Sequence, residues 1–127
     1  MKKQRPYNLN LLTIRFPVPA IISILHRVSG VIVFFLIPLL LWMLKQSLAS
    51  ADNYIDLVDI LANPFFKFIF WGFLAALLFH LVAGIRHLIM DLGFGESLKA
   101  GRASAWTVAI VSVVLIIVTG VWLWAVV

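Results

Sequence analysis

Apolar residues run almost without interruption over residues 28–44, 65–90 and 103–127, and the stretches between these runs carry most of the charge. Each run is near or above the ~20 residues that a helix needs to cross the hydrocarbon of a bilayer. None of them shows the in-out alternation of a lipid-facing barrel strand, so the pattern predicts an all-α integral membrane protein with three transmembrane helices. With their flanks the helices are expected at about 20–47, 64–92 and 103–127, in a single membrane domain over 1–127 that opens with a leader at 1–19.

The polar stretches sharpen these limits. In "MKKQRPYNLNLLTIRFPVPA" basic residues mix with Leu, Ile and Phe and are broken by Pro6, Pro17 and Pro19. Such a leader is expected to lie along the membrane interface, with a plainly solvated leader as the equal alternative. No separate apolar core precedes the first span, so no cleaved signal peptide is expected. Pro38 is expected to kink the first helix. "SADNYIDLVDILANP" is an acidic connector whose apolar spacing suits an amphipathic turn or two. Asn63-Pro64 signals the start of the second span. "GFGESLKAGR" begins like a dinucleotide loop, but Leu98 stands where a third glycine is needed, and it is read as a turn. Trp106, Trp122 and Trp124 sit near the ends of the last run as interfacial anchors.

Composition agrees: 64% of residues are hydrophobic, 12% are charged and the mean hydropathy is +1.11, too apolar for a soluble domain of this size. The net charge of +5 is read through topology rather than as a sign of nucleic-acid binding. Lys2, Lys3, Arg5, Arg15 and Arg27 precede or open the first span, and Arg86, Lys99 and Arg102 surround the second connection, whereas the first connection holds Asp52, Asp56 and Asp59. The positive-inside rule therefore puts the N-terminus and the 91–103 loop in the cytoplasm. There is no cysteine, so any thiolate-held iron–sulfur centre belongs to a partner.

Against this background "HLVAGIRHLIMD" stands out. At 100° per residue His80, Gly84, His87 and Asp91 fall within about 60° of arc, a face that has to point inward. His80 lies near the middle of its run, and an ionisable group at that depth is a functional candidate. An interhelical hydrogen bond is the plainer alternative. Gly84, with Ala76 and Ala83 nearby, leaves an indentation for a flat group or another helix. A neutral imidazole ligates haem iron, and a b-type haem needs no cysteine attachment. Arg86, His87, His26 and Arg27 are the cations available to its propionates. In "SILHRVSG" Ser23, Arg27 and Gly30 share a face beside His26; a Ser23–Arg27 hydroxyl–guanidinium pair suits the carbonyl of an apolar ring, although Arg27 snorkelling at the membrane border explains its position equally simply.

"RPYNLNLLTIRFPVPAIISILHRVSG" and "HLVAGIRHLIMD" resemble the two signatures of the cytochrome b membrane-anchor subunit, the C chain, of succinate dehydrogenase, and the likeness covers essentially the whole chain. The resemblance implies a haem-binding helical bundle completed by a second anchor subunit, docked to a flavoprotein and an iron–sulfur protein at the inner (cytoplasmic) membrane. FAD and iron–sulfur clusters would lie in those partners only. It implies electron transport from succinate to ubiquinone, in the tricarboxylic acid cycle and respiratory chain, by a subunit with no succinate site of its own. Residue by residue it makes His80 an axial ligand of haem b, His26 and Arg27 holders of the propionates, and Ser23 and Arg27 quinone contacts with Asp91 close to that pocket. His87 is expected at the haem periphery. Three other readings remain: an anchor for menaquinol-linked fumarate reduction, a proton conduit along His80, His87 and Asp91, and a purely structural bundle.

Overall fold

The computed structural model describes residues 8–127; the leader's Lys2, Lys3, Arg5 and Pro6 lie outside them. The described chain is helical, in the order α1 (Val18–Ala49), α2 (Ala51–Ala62), α3 (Pro64–Asp91) and α4 (Leu98–Val126). Three of these, α1, α3 and α4, are long and apolar enough to span a bilayer, as the hydrophobic runs require.

The connections are shorter than expected because capping side chains turn the chain almost at once. Ser50 alone separates α1 from α2: its backbone is extended and its hydroxyl accepts from the Asn53 amide at 3.1 Å. Asn63 does the same before α3, accepting from Phe65 N at 3.0 Å with Pro64 at the first helical position. The acidic connector is therefore a full helix of 12 residues, not one or two turns. It buries Leu57, and with Ile60 and Leu61 lines an apolar cavity of about 330 Å³ against Trp42 of α1 and Phe70 of α3.

The turn before the last helix is also tighter. Gly93 N bonds to Met90 O at 2.9 Å and Phe94 N to Ile89 O at 3.3 Å, a Schellman closure that requires Gly93 at φ 86°. Ser97 then caps α4 by accepting from Ala100 N at 3.2 Å. As a result α4 starts at Leu98 instead of 103, and Leu98 is its first residue. At the other end α1 starts at Val18, two residues before the expected 20, since Pro17 and Pro19 occupy the cap and first turn where a missing N–H costs nothing. The helix runs on through Pro38.

Packing relies on small residues, as it must where lipid competes for every apolar side chain. Ala83 of α3 and Ala105 of α4 are fully buried, joined by Ile22 and Val108 in the core cluster. Farther along, Trp71 of α3 donates its indole N–H to Ile116 O at 3.0 Å, with the ring lying over Gly120 of α4. Lys67, one turn before Trp71, is buried with Nζ 5.7 Å from the Trp124 ring centre.

Candidate functional site

The inward face of α3 meets α1 at a cluster of three imidazoles. His26 stacks on His80 with ring centres 4.2 Å apart and planes 10° from parallel, and lies 4.8 Å from His87 at 38°. His26 therefore bridges two histidines seven residues apart on the neighbouring helix.

Two glycines let the helices come this close, each opposite the other helix's imidazole. A Cβ at Gly30 would stand 3.1 Å from His80 Cε1, and a Cβ at Gly84 would stand 3.4 Å from His26 Nε2. The indentation expected around Gly84 is present, and α1 fills part of it with His26. Spacing within one helix does not reveal that arrangement.

The polar atoms are unevenly satisfied. Ser29 donates to His26 O at 2.8 Å, and His80 Nδ1 lies 3.1 Å from Ser29 Oγ and 3.1 Å from His26 O. His26 Nε2 is buried and has no hydrogen-bond partner among the described residues. An orphaned ring nitrogen beside stacked imidazoles is a costly arrangement for a bundle complete by itself.

Ser29, 5% exposed, escaped the sequence reading of the site. A small polar residue directly before a glycine and three after a histidine was the available signal. Ser23 is half-buried and Arg27 exposed; no hydrogen bond joins them, so the hydroxyl–guanidinium pair expected from their spacing does not form within this chain. Asp91 is the exposed last residue of α3, one turn beyond His87.

Arg86 departs from its expected role. It is 7% exposed, and it turns to α4, where Nε donates to Ser104 Oγ at 2.9 Å and Nη2 to Gly101 O at 3.2 Å. Its charge is thus committed to joining α3 to α4 rather than left free for propionates. Beside it an apolar cleft of about 470 Å³ opens between those helices, lined by Ile85, Ile89, Phe94, Thr107 and Val108.

Among the described residues no three His, Asp or Glu side chains converge on a point suited to a bare metal ion. What the cluster offers is imidazole nitrogen, close approach of backbone and, among the described residues, a gap in its hydrogen bonding.

The chain matches, over residues 1–119, the family described as succinate dehydrogenase/fumarate reductase transmembrane subunit. It is 48% identical over 125 residues to the succinate dehydrogenase cytochrome b556 subunit of Coxiella burnetii, covering 98% of this chain and 100% of that one. It is 34% identical to the protein of the same name from Rickettsia prowazekii, over 88% of this chain and 87% of that one. The Paracoccus denitrificans cytochrome b556 subunit is 33% identical, over 91% and 88%.

Proposed function

This chain belongs to the succinate dehydrogenase/fumarate reductase transmembrane subunits, and from that premise we propose that it is the cytochrome b anchor of a succinate:ubiquinone oxidoreductase, binding haem b together with a second anchor subunit. The observation that carries the reading is the histidine cluster with its orphaned His26 Nε2.

The residues present fit a b-type haem. His80 is a mid-span imidazole whose Nδ1 is already engaged, leaving Nε2 as the ligating atom. Gly30 and Gly84 keep Cβ atoms out of the space around the rings. His26, whose Nε2 has no hydrogen-bond partner among the described residues, and Arg27, exposed at the same end of α1, are the groups assigned to the propionates in this reading, with His87 at the periphery. When bound there, with a further ligand from the partner anchor, haem b would supply a one-electron store near the quinone.

Reducing a quinone takes two electrons and two protons, so the protein must polarise a carbonyl and admit protons. Arg27 is the cation for negative charge developing on the quinone oxygen, and in a water-poor site a fixed cation is worth far more than in bulk solvent. Ser23, one turn away, donates a directional hydrogen bond to the same ring. Asp91 lies at the membrane border as a proton carrier towards that pocket. Arg27 is exposed in this chain alone, which accords with a pocket closed by the iron–sulfur subunit and the second anchor. With no cysteine, the chain leaves thiolate-held iron–sulfur clusters to the iron–sulfur partner, and in this reading FAD belongs to the flavoprotein. The basic leader and second connection orient this multi-pass subunit with its N-terminus in the cytoplasm, at the inner membrane.

The test is the optical spectrum, oxidised and dithionite-reduced, of the co-purified complex with the native chain and with His80→Ala. A b-type spectrum that the substitution abolishes or shifts is expected. A native complex without haem, or a spectrum indifferent to His80, overturns the ligand assignment.

A further inference from the structure

We propose that Ser29 is a positioning residue for His80: with the main-chain carbonyl of His26 it fixes the imidazole as the Nδ1–H tautomer and sets the ring's rotation, so that Nε2 is the nitrogen presented for ligation. The inference rests on the haem reading above and adds to it the group that aims the ligand.

Donor and acceptor chemistry decides the tautomer. A carbonyl oxygen only accepts, so the 3.1 Å approach of His80 Nδ1 to His26 O places the proton on Nδ1. Ser29 has one hydroxyl hydrogen, and it is directed at His26 O, 2.8 Å away. Its lone pairs are then what faces Nδ1 at 3.1 Å, and the Nδ1–H is shared between two acceptors. Three polar atoms thus form a closed triangle. With the carbonyl alone the ring could pivot about a single bond; the second acceptor removes that freedom.

The local sequence builds the triangle. A helical serine reaches back to the carbonyl three residues earlier, here that of His26. Gly30, the next residue, has no Cβ to push His80 away, and one placed there would stand 3.1 Å from Cε1. Ser29 is buried, so water does not compete for these bonds. Outer partners of this kind orient ligating histidines, and losing one typically costs 10- to 100-fold in metal affinity.

The experiment compares the intact complex bearing the native chain, Ser29→Ala or Ser29→Thr, reading the rate of haem loss to excess apomyoglobin and the low-spin haem resonance. Ser29→Ala is expected to lose haem about 10-fold faster with a shifted resonance, while Ser29→Thr, which keeps the hydroxyl, stays within about two-fold of native. An alanine variant that matches the native complex in both readouts overturns the proposal, and so does equal loss in both variants, which would mark a packing effect. A native complex without haem overturns the functional reading instead. In that case nitrogen NMR of the histidine-labelled complex decides this proposal: Nδ1–H at His80 supports it and Nε2–H overturns it.

Discussion

The imidazoles of His26 and His80 lie face to face, 4.2 Å between centres and 10° from parallel, although the residues stand 54 positions apart on different helices. Gly30 and Gly84 make this possible by bringing each backbone within reach of the other's ring. The two glycines are therefore as much a part of the site as the histidines.

Gly30→Ala should act directly on His80. Its new Cβ meets Cε1 at 3.1 Å, tighter than ordinary contact, and the stacked His26 limits retreat. A stability loss of about 1–3 kcal/mol is expected for overpacking of this kind. It should come with a lower haem-to-protein ratio, read by thermal unfolding and by absorbance of the purified complex.

Arg86→Met should separate structural from electrostatic roles. The substitution keeps bulk in the α3–α4 contact but removes the donors to Ser104 and Gly101. Hydrogen bonds from a charged group are worth about 1.5–3 kcal/mol each. A lower melting temperature with an unchanged haem spectrum is expected; a spectral shift would return Arg86 to the haem environment.

Gly120→Ala should clash with Trp71. The added Cβ would lie 3.0 Å from the indole Nε1, which is fixed by its bond to Ile116 O. A loss of about 1–3 kcal/mol is expected, partly relieved in the background of Trp71→Leu, because residues in contact couple non-additively. A double-mutant cycle on thermal stability measures that coupling, and strict additivity would contradict the packing described.

Quinone turnover should fall unequally in Ser23→Ala and Arg27→Ala. Removing a preorganised group that stabilises developing charge costs on the order of 10²-fold in rate, and Arg27 should approach that figure while Ser23, a neutral donor, loses less. Steady-state ubiquinone reduction by the intact complex gives both values. Equal and negligible effects would exclude this end of α1 from the quinone pocket.

Much of the architecture was legible along the chain. Three spans follow from apolar length and the lack of in-out alternation, because backbone in hydrocarbon must be satisfied by helices or closed barrels and the pattern fits only helices. The connectors were less legible. α2 and the early start of α4 depend on Ser50, Asn63 and Ser97 acting as caps, and such residues serve equally well in loops.

By itself the sequence determined that His80, Gly84 and His87 share one face of a helix, since the helical repeat converts spacing into direction. Only the tertiary structure decided that His26 stacks on His80, that Ser29 Oγ comes within 3.1 Å of His80 Nδ1, that Arg86 turns to α4 and that Ser23 and Arg27 do not pair. Those outcomes depend on how far each helix is rotated and shifted along its neighbour. Periodicity within a single helix carries no information about that offset; the packing of Gly30, Ala83, Gly84 and Ala105 sets it.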